Sequence, residues 1–263
     1  MNVAILGAGN VAAHLSKALI KAGFPIKQIW SRDNNNAVNL ALEIGANSIV
    51  SITDLSKNID VIIIAVADDA ILKVAQEIPS ALNQKLILHT SGSTSLTVLN
   101  GFSSQIGVLY PLQTFSKNTD LDFSNIPLCI EANDDHALEL LSKITNKISN
   151  RIRVVNSVDR LTLHIAAVFA CNFTNYFYSI AEDLLNAKNL DFNLIRPLIL
   201  ETAEKAMLNS PALIQTGPAK RDDQSTITKH LSVLENQPHI EEIYQLISQQ
   251  LVKKFKQANL GNK

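Results

Sequence analysis

Residues 3–12 read VAILGAGNVA, and an amphipathic run follows as far as residue 23. An apolar strand thus leads directly into a Gly-x-Gly-x-x-Ala pattern, and a helix follows. Gly7 allows a tight turn, Gly9 lets the backbone approach a pyrophosphate, and Ala12 lets the helix pack close to the strand. The free N–H groups and the positive dipole end of that helix then face the phosphates. The pattern predicts a dinucleotide site of the Rossmann type, with the cofactor-binding residues Gly7, Gly9, Asn10 and Val11.

Strand and helix signals alternate from this turn to residue 155. Residues 61–66 form a continuous apolar run, which is typical of a strand buried on both faces of a parallel sheet. Further strands are predicted at residues 26–30, 47–50, 86–88, 107–110, 128–130 and 152–155. Helices are predicted between them, one starting at Asp68 or Asp69 and another at Asp134 or Asp135. The alternation predicts an α/β fold, a doubly wound and mostly parallel Rossmann sheet.

The character of the chain changes after residue 155, since no strand signal follows. Ser157 is the predicted N-cap of one long helix over residues 160–187, and three more helices are predicted over 192–208, 223–234 and 240–255. We therefore predict two domains. Residues 1–155 form the dinucleotide-binding domain, and residues 156–263 form an all-helical domain for substrate binding and dimerisation.

Composition and charge exclude several classes of protein. The net charge of the 263 residues is −1, so nucleic-acid binding is not expected. No apolar run is long enough to span a bilayer, no signal-peptide pattern opens the chain, and no residue cluster has metal-ligand spacing. The only two cysteines, Cys129 and Cys171, lie in apolar surroundings and are predicted to be buried free thiols. This favours a reducing cytoplasm.

The end of the second strand bears on the choice of cofactor. An NAD enzyme usually carries Asp or Glu there to bind the ribose 2′-OH. Here Ser31 and Arg32 occupy the position, and both suit a 2′-phosphate, which favours NADP. As alternatives, Arg32 is a solvated loop residue and Asp33 reaches a ribose hydroxyl. Ala67 and Asp68 follow the fourth strand, at the edge where the nicotinamide half is expected, although Asp68 alternatively caps the next helix.

Four segments resemble a known family. They are residues 89–93 (HTSGS), 110–115 (YPLQTF), 166–173 (AAVFACNF) and 216–223 (TGPAKRDD). Nearly the whole chain is similar to a family of NADP-dependent oxidoreductases that join a Rossmann-like domain to a helical domain of unknown function. The wider group resembles the 6-phosphogluconate dehydrogenase-like superfamily, which includes ketopantoate reductases, hydroxyisobutyrate dehydrogenases and pyrroline-carboxylate reductases. The resemblance implies NADP and a small-molecule substrate.

The acid/base group of two of these enzyme classes is a lysine on the long helix of the second domain, and this chain departs from them. Its helix offers His164 instead, with Asn172 two turns later; eight residues turn the helix through about 800°, which leaves the two on the same side. A histidine exchanges protons near neutral pH. Ser91 is a further candidate, for orienting a substrate carbonyl or a nicotinamide amide. The alternatives are a hydrogen-bonded core histidine and a plain Ser/Gly turn.

Lys220 and Arg221 follow a Gly-Pro turn and offer positive charge to an anionic substrate, or alternatively belong to a charged surface turn. Two functions stay open. One is a reductase that moves hydride between NADPH and a small carbonyl or imine. The other is a non-catalytic NADP-binding sensor or assembly protein. The apolar helices favour a homodimer through the helical domain.

Overall fold

A single eight-stranded sheet organises the first part of the chain. The computed structural model describes residues 1–116 and 121–260. The strands are β1 (Val3–Leu6), β2 (Ile26–Trp30), β3 (Asn47–Ser48), β4 (Val61–Ile64), β5 (Leu86–His89), β6 (Gln105–Pro111), β7 (Leu128–Ala132) and β8 (Ile152–Val154). Their spatial order is β3-β2-β1-β4-β5-β6-β7-β8.

The directions of the strands confirm the predicted sheet. β1 pairs in parallel with both β2 and β4. Successive strands are therefore added first on one side of β1 and then on the other, so the strand order reverses beside β1. β5 and β6 continue the parallel sheet. β7 runs antiparallel to β6, and β8 runs parallel to β7. The fold is therefore a mostly parallel doubly wound sheet, and such a sheet binds ligands at the carboxyl ends of its strands beside the reversal point.

Both faces of the sheet are covered. Alternate residues of β1 enter different apolar clusters: Val3 and Ile5 join one, and Ala4 and Leu6 join the other. A strand with a side-chain period of two is buried in this way only between two helical layers. The helices are α1 (Asn10–Lys21), α2 (Asn34–Ile44), α3 (Ile71–Gln76), α4 (Asp135–Ile148), α5 (Ser157–Ala167), α6 (Thr174–Asn186), α7 (Arg196–Leu208), α8 (Pro211–Ile214), α9 (Gln224–Leu234) and α10 (Pro238–Leu260).

No strand follows β8 among the described residues, so the predicted change to an all-helical region is confirmed. The chain divides into two compact units, Met1–Phe173 and Thr174–Lys263. The division thus lies inside the helical region, and the domain limits at residues 155 and 156 stay a prediction. None of the described helices is both long enough and apolar enough to cross a membrane.

The predicted long helix over 160–187 contains an irregularity. α5 ends at Ala167, a π-helical segment spans Val168–Phe173, and α6 begins at Thr174. The predicted N-cap was wrong by one residue: Asn156 accepts the capping hydrogen bond from the Asp159 N–H, because the side chain of Ser157 is bonded elsewhere. The sequence did not indicate the π segment, which is a feature common at functional sites.

Candidate functional site

The glycine turn leaves a concave space at the start of α1. Gly7 has a φ of +131°, and a Cβ there would lie 2.1 Å from the Ala65 carbonyl oxygen, so only glycine fits between β1 and the end of β4. A Cβ on Gly9, by contrast, would meet nothing within 4 Å. Gly9 is the N-cap of α1 and supplies no side-chain hydrogen bond to it. The first N–H groups of α1 are thus open to an anion, and this arrangement fits a pyrophosphate.

The end of β2 lies against this turn, because the Gly7 N–H donates to the Trp30 carbonyl over 2.6 Å. Ser31 is half-buried and Arg32 is exposed. The Asp33 carboxylate accepts hydrogen bonds from the Asn35 N–H (3.0 Å) and the Asn36 side-chain amide (3.2 Å), so it caps α2. This use of Asp33 weakens the alternative in which its carboxylate binds the ribose, and it leaves Ser31 and Arg32 as the groups that suit a 2′-phosphate.

Asp68 connects the ends of β4 and β5. Its carboxylate accepts a hydrogen bond from the Ser93 hydroxyl. The turn Asp68–Ala70 and helix α3 have no side-chain cap, so the alternative in which Asp68 or Asp69 caps this helix is wrong. Ala67 and Asp68 are both exposed at the carboxyl edge of the sheet, where the nicotinamide half was expected.

The Ser91 hydroxyl makes all of its hydrogen bonds within the loop after β5. Its hydroxyl donates to the Thr94 hydroxyl (2.9 Å) and accepts from the N–H groups of Ser93 (3.1 Å) and Thr94 (2.9 Å). A hydroxyl offers one donor and two acceptor positions, and all three are filled. The geometry favours the Ser/Gly-turn alternative, in which Ser91 gives the loop its shape.

A buried ion pair holds the same loop in place. The guanidinium of Arg160, 1% exposed, pairs with the Glu131 carboxylate and donates to the Thr94 carbonyl over 2.6 Å. The Ser157 hydroxyl and N–H both donate to Glu131, over 2.8 and 3.0 Å. Residues of β7 and α5 therefore fix the position of the loop. We did not predict this network, and the only signal for it was a carboxylate that directly follows the apolar run of β7.

His89 lies at the end of β5 and is 0% exposed. Its Nδ1 accepts a hydrogen bond from the Ser91 N–H (3.2 Å), so the ring proton is on Nε2. Burial lowers the pKa of His89 from 6.5 to about 4, and the positive charge of Arg160 acts in the same direction. His89 is therefore neutral at physiological pH.

His164 meets a tyrosine over this loop. The Tyr110 hydroxyl, at the end of β6, lies 3.0 Å from Nδ1 of His164, and the two rings meet edge to face. Both side chains are half-buried. A Cβ on Gly92 would lie 2.7 Å from Cζ of Tyr110 and 2.8 Å from Nδ1 of His164, so both rings lie directly against Gly92. Burial raises the pKa of the Tyr110 phenol to about 12. Tyr110 was not among the predicted site residues, although the YPLQTF segment was noted.

The remaining predicted residues have mixed outcomes. Cys171 is exposed, so its predicted burial was wrong, whereas Cys129 is a buried free thiol as predicted. Asn172 is exposed too. Among the described residues, no cluster of His, Cys, Asp and Glu could hold a metal ion. In the second compact unit, Nζ of Lys220 lies 5.6 Å from the centre of the Phe255 ring, and Arg221 is exposed.

The parallel sheet, the reversal beside β1 and the open glycine turn define the class of the protein: a Rossmann-type dinucleotide-binding protein followed by a helical region. Two family models match the chain. One is described as "NADP oxidoreductase coenzyme F420-dependent" and covers residues 2–92, and the other is a domain of unknown function, DUF2520, that covers residues 126–251. No curated protein matches the chain.

Comparison with a solved structure shows the family to which the chain belongs. The protein is 36% identical to BF3122 from Bacteroides fragilis, described as a "putative NADP oxidoreductase", over 96% of this chain and 98% of that one, with a TM-score of 0.88. The chain therefore belongs to this NADP oxidoreductase family, as the sequence motifs had indicated, and NADP is the cofactor of the family.

More distant structures share the fold alone. A reductive aminase from Aspergillus terreus in complex with NADPH and ethyl levulinate is 13% identical, with a TM-score of 0.73 over 96% of this chain and 94% of that one. An imine reductase from Myxococcus stipitatus in complex with NADP+ is 16% identical, with a TM-score of 0.66 over 99% and 95% of the two chains.

Proposed function

We propose that the protein is an NADPH-dependent reductase that moves hydride between the cofactor and a small carbonyl or imine compound. One observation carries the proposal. A half-buried pair of proton-exchanging side chains, Tyr110 and His164, lies on Gly92 at the carboxyl end of β5. The open glycine turn follows β1, and β1, β4 and β5 are adjacent parallel strands. Their carboxyl ends share one edge of the sheet, so cofactor and acid/base groups lie on the same side.

In this proposal the first domain holds the cofactor along that edge. The N–H groups after Gly7 and Gly9, on Asn10 and Val11, bind the pyrophosphate, and Ser31 and Arg32 bind the 2′-phosphate. Ala67 and Asp68 border the nicotinamide half. NADPH, when bound, supplies the hydride.

The acid/base role falls to His164, with Asn172 as a polar group on the same helical side. The π segment turns the chain by a smaller angle per residue than an α-helix does. The angle around the helix axis between Asn172 and His164 is therefore smaller than in a regular α-helix. Lys220 and Arg221 are proposed to offer positive charge to an anionic substrate. Ser91 contributes by holding the loop that carries Gly92.

The proposal includes a homodimer formed through the helical region, in a reducing cytoplasm. Helix α7 has no buried residue in the single chain. Five large apolar side chains of α7 and α8 are each at least 60% exposed: Leu198, Leu200, Met207, Leu208 and Leu213. Exposed apolar area of this extent is typical of a protein interface. The free thiols Cys129 and Cys171 suit a reducing compartment.

The test is NADPH oxidation by the purified protein with a panel of small ketones, aldehydes and imines. We expect turnover of at least one class and a loss of about 10²–10⁴-fold in His164→Ala, the size typical of a lost general acid or base. The affinity for NADPH, measured by calorimetry, should stay unchanged in that variant. Tight binding of NADPH without turnover of any compound would contradict the reductase and favour the NADP-binding sensor.

A further inference from the structure

The proposed function gives the acid/base role to His164 and assigns no separate role to the hydroxyl of Tyr110, its hydrogen-bond partner. Tyr110 and His164 form a hydrogen-bonded pair, and the pair lies against the backbone of Gly92 at the edge of the sheet where ligands of this fold bind. The phenol is half-buried, so its hydroxyl is partly open to a ligand. No other described side chain is hydrogen-bonded to the phenol oxygen.

We propose that Tyr110 is the group that gives a proton to the substrate and that His164 resupplies Tyr110. This inference rests on the proposed reductase function. It assigns the direct contact with substrate to a residue of β6.

The proton transfer balances as follows. Hydride adds to the carbonyl carbon, the C=O π bond breaks, and the oxygen takes the proton of the Tyr110 hydroxyl. The Tyr110 oxygen takes the Nδ1 proton of His164 in the same step, and Nε2 of this half-buried ring takes a proton from solvent, so the ring passes on one proton and its charge does not change. After product release, exchange of the ring protons with solvent returns a proton to Nδ1 and restores the pair.

The phenol is acidic enough to protonate the product of hydride addition in either substrate class. Burial raises the pKa of Tyr110 to about 12, so the phenol is protonated at all physiological pH values. The pKa of bulk water is about 15.7, and an alkoxide is about as strong a base as hydroxide. An alkoxide therefore takes a proton readily from a phenol whose pKa is about 12. Hydride addition to a neutral imine leaves a nitrogen anion, which is a stronger base still, so the phenol can protonate it as well. The pair therefore suits an oxygen or a nitrogen that becomes negative during the reaction.

The chain offers a matched control. The Tyr244 hydroxyl lies 2.6 Å from Nδ1 of His230, and those rings also meet edge to face. Tyr110→Phe and Tyr244→Phe each remove one hydroxyl from one tyrosine–histidine pair and preserve the ring. Neither change creates a cavity larger than an oxygen atom, so both variants are expected to fold.

The first measurement needs no substrate. In ¹⁵N NMR spectra of the histidine rings, Tyr110→Phe should shift the signals of His164 and leave those of His230 in place, and Tyr244→Phe should do the reverse. Unchanged His164 signals in Tyr110→Phe would overturn the pair itself.

The second measurement is turnover with matched ketones and preformed imines of the same carbon skeleton. We expect the wild type to reduce at least one of these compounds, Tyr110→Phe to lose about 10²–10⁴-fold in kcat with its NADPH affinity unchanged, and Tyr244→Phe to equal the wild type. Full activity of Tyr110→Phe would overturn this inference and leave the proposed reductase standing. Absence of turnover for every compound by the wild type would overturn both.

Discussion

The substitution Gly9→Asp separates folding from cofactor binding. Gly9 is the N-cap of α1, and its missing Cβ points into open space. Aspartate is among the best N-cap residues, so the variant should be as stable as the wild type or more stable by a few tenths of a kcal/mol. Its carboxylate would accept hydrogen bonds from the N–H groups that the pyrophosphate needs.

The expected loss of affinity is large. Each hydrogen bond from an N–H group to a charged phosphate is worth about 1.5–3 kcal/mol, so losing two of them weakens binding by at least ~3 kcal/mol, or roughly 100-fold. Repulsion between the carboxylate and the phosphates adds to this loss, with about 4 kcal/mol as the scale for two unit charges 4 Å apart near a protein surface.

The assay is calorimetric titration of NADPH into wild type and variant, with urea unfolding of each to compare stability. Gly7→Ala is the contrasting variant. Its methyl group would lie 2.1 Å from the Ala65 carbonyl at a φ of +131°, so this change should destabilise the fold itself. A folded Gly9→Asp protein that binds NADPH with wild-type affinity would refute the assignment of the glycine turn.

Three further predictions concern other parts of the first unit. The wild type should bind NADPH more tightly than NADH, and Arg32→Ala should narrow that difference by about 1.5–3 kcal/mol, measured by calorimetry; tighter binding of NADH would contradict the role of Arg32. Arg160→Met should destabilise the protein to urea by about 3 kcal/mol, because it leaves the Glu131 carboxylate without its buried cation, and a change below about 1 kcal/mol would contradict the importance of the pair. The pKa of His89 is 6.5 in an unfolded chain and about 4 in the folded protein, so the unfolded chain binds more protons between these two pH values. The contribution of His89 to stability should therefore be fully present above pH 6.5, and the free energy of unfolding should fall by up to about 3 kcal/mol as the pH decreases towards 4. His89→Gln should remove that part of the pH dependence, and an identical pH profile in the variant would show that His89 does not cause it.

The fold could be predicted because its signals are local. The Gly-x-Gly-x-x-Ala turn, the continuous apolar run of β4 and the loss of strand signals after β8 each depend on neighbouring residues only. Helix ends were less predictable where a cap had a competing partner. Ser157 is a good N-cap in isolation, but its hydroxyl and N–H are both bonded to Glu131 in the folded chain.

The site was predictable only in part, because its geometry depends on contacts between distant residues. Tyr110 and His164 are 54 residues apart, and Arg160 and Thr94 are 66 apart. A tyrosine at the end of a strand and a histidine on an apolar helix are common in any core, so neither identifies the pair. Ser91 shows the opposite case, since a serine in a glycine-containing loop suggests chemistry while its bonds to Ser93 and Thr94 give it a structural role.

A crystal structure of the protein with NADP+ would test the central claim most directly. We predict the pyrophosphate on the N–H groups of Asn10 and Val11, the 2′-phosphate at Arg32, and the nicotinamide ring beside Gly92, with C4 facing the Tyr110 hydroxyl. A nicotinamide that lies away from Gly92 and Tyr110, or a 2′-phosphate that does not contact Arg32, would contradict the account.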